Sequence, residues 1–178
     1  MKLLPSLVRA MYALPMARRA AHAHYMRSTP SAASRQCGTL HALILGVYMA
    51  DRPHTAGHLV RAMASQPNLI VEHRWVGMRG GSDDAELARA TIFHASEPTP
   101  KFALINRLIA GQDLDRFDHV IVVDDDIYVH SGFLQEFLAC QQLFGFALAQ
   151  PSRAWHSHFD HGFVLRRPWL AARETRFV

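Results

Sequence analysis

The sequence predicts an α/β fold, a mostly parallel sheet with helices on both faces. Three observations lead there. Short apolar runs rich in β-branched residues recur along the chain, as HALILGVY, LIVEHRWV and VIVV. Between them lie segments with apolar residues at three-to-four spacing, such as HLVRAM and LINRLIA. The two kinds alternate as β-α-β-α-β-α-β-α-β, and successive parallel strands need such crossover helices.

The elements follow in order. Residues 1–38 read as a basic, poorly ordered leader that closes on the small-polar stretch STPSAASRQCG, and the domain occupies 39–178. His41 to Tyr48 is the first buried strand. Asp51 to Thr55 turns the chain, and Thr55 is placed to cap a helix through Met63 or Ala64, with Leu59, Val60 and Met63 inward. Pro67 and Asn68 stop it, and Leu69 to Val76 is the second strand. After the Gly80-Gly81-Ser82 loop, Asp83 and Glu86 have the spacing of a capping arrangement for a short helix to Ala90. Thr91 to His94 is a short strand. Thr99-Pro100 opens a helix running to Ala110, with Leu104, Ile105, Leu108 and Ile109 on its inner face and Gly111 ending it.

Val120 to Val123 then reads as a strand buried on both faces. Ser131 is placed to cap the next helix, whose Phe133, Leu134, Phe137, Leu138 and Phe144 face inward and which Gly145 closes. Phe146 to Gln150 is expected as the last strand.

Composition narrows the function classes. The net charge is +4 over 178 residues, and the first fifty residues hold Lys2, Arg9, Arg18, Arg19, Arg27 and Arg35 with no acid. Without that segment the chain is close to neutral, so no nucleic-acid partner is expected. Cys37 and Cys140 lie far apart and match no zinc spacing, as expected of reduced thiols in a cytoplasmic protein. No stretch reaches the roughly 18–20 apolar residues of a membrane span. The N-terminal segment, interrupted by Pro5, Arg9 and Pro15, is instead basic and amphipathic, which suits peripheral contact with an anionic membrane. A disordered leader is the competing reading.

The chemistry concentrates where the strand ending at Val123 breaks into Asp124-Asp125-Asp126. Ligand sites in open α/β sheets lie beyond the carboxyl ends of strands. If the chain stays extended, Asp124 and Asp126 share one face and Asp125 takes the other. Two carboxylates about 6 Å apart at an effective dielectric near 20 repel by about 3 kcal/mol, so a cation, raised pKa values or open water must compensate. Hard oxygen donors without cysteine favour Mg²⁺ or Mn²⁺. A solvated acidic turn is the plain alternative. The Gly80-Gly81 pair has neither GxGxxG nor P-loop spacing. Near the C-terminus, Trp155, His156, His158, Asp160 and His161 crowd one loop, a place for acceptor binding or proton transfer, although surface histidines without a role would look the same.

These motifs carry a resemblance. The segment KFALINRLIAGQDLDRFDHVIVVDDDIYV resembles the Rossmann-like nucleotide-sugar domain of GT-A glycosyltransferases, with a Lys-containing helix, a downstream Asn, an apolar strand and Asp-x-Asp. LAQPS and RETRFV further resemble the DUF707 type of glycosyltransferase-like domain, and the similarity covers about Leu43 to Val178. It implies a transferase that moves a sugar from a nucleotide sugar to a carbohydrate or other hydroxyl acceptor, with Mn²⁺ or Mg²⁺ held by Asp124 and Asp126. Lys101, Asn106, Asp124 and Asp125 would contact the donor, and Gly46 to Asp51 would border the base. His156, His158 and Asp160 would face the acceptor, with Asp160 and His161 as candidates for proton transfer. In those domains a Glu follows the Phe-Val element. The sequence stops at Val178, so the resemblance places the base beyond it and leaves the C-terminal part of the fold incomplete. Two other functions compete: a catalytically inactive binding module and, with less support, a metal phosphohydrolase.

Overall fold

The computed structural model describes residues 38–157, 161–167 and 172. It divides into two compact units, one of residues 36–135 and one of 136–178 with 1–35. Among its described residues the first unit carries four strands and three complete helices. They run β1 (Leu40–Met49), α1 (Ala56–Ala62), β2 (Leu69–Met78), α2 (Ala85–Ala90), β3 (Thr91–Ala95), α3 (Lys101–Ile109), a 3₁₀ turn (Leu114–Arg116) and β4 (His119–Val123).

The strands form one sheet in the order β3-β2-β1-β4, with every pair parallel. The predicted α/β class with a parallel sheet is therefore what the chain adopts. Register sorts the side chains. Leu43, Leu45 and Val47 of β1 align with Glu72, Arg74 and Val76 of β2, while Ala42, Ile44 and Gly46 align with Val71, His73 and Trp75 on the other face. The first face is covered by α3. Its Leu104, Ile105 and Leu108 pack with Leu43, Leu45, Val47, Val76, Met78 and Ala95 in one buried cluster.

The second face receives α1 and α2. His73 Nε2 bonds the carbonyl of Met63 at the end of α1 at 3.2 Å, and Tyr48 Oη bonds Thr91 Oγ1 at 3.2 Å. Helices thus cover both faces, as right-handed crossovers require when the chain reverses direction across the sheet. Trp75, with no solvent exposure, sits opposite Gly46. A Cβ at residue 46 would lie 2.2 Å from the indole ring, so only glycine fits. Gly46 is therefore a packing position inside β1, ahead of the loop that the sequence reading assigned to the base.

Four local expectations change. Val120 and Val122 are 47 % and 43 % exposed, so β4 is an edge strand with an open side and not one buried on both faces. Asp84, not Asp83, caps α2: its carboxylate accepts from the amides of Glu86 and Leu87, both at 3.1 Å. Thr55 precedes α1 but gives it no side-chain cap, and Thr99 gives none to α3, where its hydroxyl donates to the Glu97 carbonyl. In each case the hydroxyl has found another acceptor.

Helix α4 (Phe133–Phe144) begins in the first unit and continues into the second. Leu134, Leu138 and Ala139 are its buried residues. It ends as predicted at Gly145, with φ of 64°. There the amide of Phe146 reaches the carbonyl of Gln141 at 3.0 Å, and that of Gly145 reaches Gln142 at 3.2 Å. This is the paired closure of a Schellman motif. The expected strand over 146–150 does not form. The Phe146 amide is consumed in closing the helix, and Leu148 is 70 % exposed with no ladder partner among the described residues.

The rest of the second unit is mostly irregular. Arg153 pairs with Leu165 through an isolated bridge, a 3₁₀ turn covers Gly162–Val164, and the Arg167 guanidinium lies 5.6 Å from the Trp155 ring centre. The basic leader lies outside the described residues. Among the described residues no helix is long and apolar enough to cross a membrane.

Candidate functional site at the carboxyl edge of the sheet

Strand order fixes where a ligand can enter. The chain leaves β1 towards β2 and β3 on one side and returns to β4 on the other. β1 and β4 are therefore neighbours where the strand order reverses, the topological switch point at which open α/β sheets bind ligands. The acid triplet follows β4 there.

The triplet does not stay extended. Asp125 and Asp126 lie in a turn, and this separates the three carboxylates by role. Asp125 is only 9 % exposed. Its Oδ2 accepts from the Met49 amide at 2.9 Å, and its carbonyl accepts from the Thr55 amide at 2.6 Å and the Thr55 hydroxyl at 3.0 Å. The same hydroxyl also reaches the Ile127 carbonyl. Asp125 thus ties the end of β4 to the end of β1 and the start of α1. Arg52 Nη2 stands 4.0 Å from its Oδ1 and is largely exposed.

Asp124 is paired with Lys101, the first residue of α3, whose ammonium also donates to the Val123 carbonyl at 3.1 Å. The alternation of strand and helix brings them together, because a crossover helix begins at the carboxyl edge where the preceding strand ends. Asp126 is exposed and has no hydrogen bond or ion pair among the described residues. Asn106 lies five residues along α3, about 7.5 Å down the axis from Lys101, with an exposed side chain that bonds no described residue.

Three residues at this edge carried no sequence expectation of a site role. Arg52 follows from the length of the β1 loop. His58 and Tyr128 form a parallel stack with ring centres 3.9 Å apart and an interplanar angle of 7°. His58 Nε2 bonds the Val129 carbonyl at 2.8 Å. A carbonyl can only accept, so Nε2 is the donor in this bond. The one signal available in the sequence was Tyr128 standing two positions after the acids.

His156 and His161 are exposed residues of the second unit, and His158 and Asp160 lie outside the described residues. Among the described residues no group of three or more His, Cys, Asp or Glu side chains is arranged to hold a metal ion. The donor set at the edge nonetheless suits a hard divalent cation. Two carboxylates, Asp124 and Asp126, stand exposed within three residues. Mg²⁺ sites commonly use one or two carboxylates and take their other ligands from water and substrate phosphate.

Charge around the site is mixed. Arg79 pairs with Asp51 at 3.0 Å across the loops after β2 and β1, so Lys101 and Arg52 are the basic groups nearest the triplet for which a contact to it is seen. No protein-family model, curated protein or solved structure gives a match to this chain.

Proposed function

We propose that the first unit is the donor-binding half of a metal-dependent glycosyltransferase of the GT-A, DUF707-like kind, taking a nucleotide sugar and a hydroxyl acceptor. One observation carries this reading: acids and a lysine meet at the carboxyl edge between β1 and β4, the switch point where such sheets bind nucleotides. Asp126 and Asp124 would hold Mn²⁺ or Mg²⁺. Once bound, the cation supplies neutralisation of the charge that builds on a departing nucleoside diphosphate.

The chain's own residues do the rest. The Lys101 ammonium already lies on Asp124, and a diphosphate bound at this edge offers it a second anionic partner. Arg52, exposed beside Asp125, can add a bidentate contact to a phosphate. Asp125 keeps the loop in place by holding the Met49 amide through Oδ2, which leaves only Oδ1 to face a ligand. Asn106 is assigned to the donor only through the family pattern.

Isothermal titration with UDP, GDP and ADP, each with and without Mn²⁺, tests the assignment. Wild type should bind one of them in a Mn²⁺-dependent manner, and Asp126→Ala should abolish that dependence while leaving the circular dichroism spectrum unchanged. Equal affinity in the two proteins removes the metal role. Binding without hydrolysis of the matching nucleotide sugar narrows the assignment to a binding module.

A further inference from the structure

The stacked pair at the same edge has no part in donor binding as described above. Tyr128 is 78 % exposed although one face of its ring lies flat against the His58 imidazole. His58 cannot swing freely, because its Nε2 is bonded to the carbonyl of Val129, the residue next to Tyr128. The loop itself is pinned from below by the Thr55 hydroxyl on the carbonyls of Asp125 and Ile127. An aromatic ring so backed and so exposed is a preformed platform whose outer face is open. Ordering it costs little on binding, since one side is already fixed.

We infer that Tyr128 is a stacking platform for a pyranose ring, the sugar on which the transfer acts. The face of an aromatic ring carries negative potential and attracts the weakly positive C–H groups of a sugar's apolar face. Asp126, exposed and two residues before Tyr128, has its Cα at most about 7 Å from that of Tyr128. A carboxylate accepts hydrogen bonds only. It suits the hydroxyls of a sugar, which donate to it.

The choice of a sugar as occupant rests on the glycosyl-transfer reading as well as on this geometry, so the test leaves metal and nucleotide out. Saturation-transfer NMR is run on the full chain without Mn²⁺ against methyl glucopyranoside, galactopyranoside and mannopyranoside at millimolar concentration, with uridine as a separate arm. Wild type should transfer saturation to the ring C–H protons of one glycoside. Tyr128→Phe should keep the signal and Tyr128→Ala should reduce it at least fivefold, with unchanged circular dichroism because the side chain is exposed. No glycoside signal in wild type, an equal signal in Tyr128→Ala, or uridine taking the platform in place of a sugar overturns the inference. A glycoside signal that depends on Tyr128 stands even if the nucleotide titration fails, so the two readings fall separately.

Discussion

Asp124, Asp125 and Asp126 are identical side chains at consecutive positions, and their neighbours give them three occupations. Asp124 is in an ion pair, Asp125 is buried on an amide, and Asp126 faces solvent. Removing Asp125 leaves the Met49 amide without its acceptor, and hydrogen bonds to a charged group contribute about 1.5–3 kcal/mol. Asp125→Ala should therefore lower unfolding stability by about 1–3 kcal/mol in urea denaturation. Asp125→Asn keeps an oxygen for the amide and should lose less than half of that. Asp126→Ala removes an exposed group and should fall within about 0.5 kcal/mol of wild type. Equal losses at 125 and 126 would refute this division. The acids were plain in the sequence, but their division was not. It depends on Thr55, seventy positions earlier, whose hydroxyl and amide capture the Asp125 carbonyl and turn the chain. Period-two alternation has no term for such a distant partner.

The long elements were legible for a different reason. β1 and β2 are ten residues each and largely apolar, so the extent of buried surface decides them, and the structure extends the expected strands by only one or two residues at an end. Caps are decided by single hydrogen bonds and were less readable. Asp83 and Asp84 are adjacent carboxylates, either of which could precede a helix. Asp84 takes the role because Arg61 on α1 holds its Oδ2 at 2.6 Å while Oδ1 faces the helix amides. That guanidinium is the main reason the Asp84 carboxyl sits below its ordinary pKa, helped by the backbone amides. Asp84 also fills the space beside Gly57, where a Cβ would come within 2.3 Å of Oδ2. One side chain therefore caps α2 and joins it to α1. Loss of a capping side chain typically costs about 1 kcal/mol. Asp84→Ala should cost about 1–2 kcal/mol in thermal or urea denaturation, and Asp84→Asn, which keeps the cap without the charge, should recover at least half. A neutral Asp84→Ala would show that α2 is held by Leu87 burial alone.

The parallel sheet gathers these parts into one molecule-wide dependence on pH. His73 and His119 both lie on the sheet face that carries Trp75 and Gly46, in register with Ile44 and Ala42 of β1. Burial lowers the pKa of each below the ordinary 6.5; the Met63 carbonyl opposes this for His73 and Asp118 opposes it for His119, both more weakly. The folded chain thus resists protonation at these rings, while the unfolded chain accepts it near 6.5. Where the unfolded state binds more protons, stability rises with pH. The contribution is complete above 6.5 and is lost as pH falls from there towards the lowered folded-state values. Asp84, with its depressed pKa, adds a loss of the same sign only below its ordinary 3.8. Edge order alone did not reveal this, since in the sequence the two imidazoles are simply strand residues forty-six positions apart. The melting temperature should fall steadily between pH 7 and pH 5. His73→Gln keeps a side-chain donor for the Met63 carbonyl without titrating, so its curve should be visibly flatter over that interval. An unchanged slope in His73→Gln would mean that His73 is not held neutral by the fold.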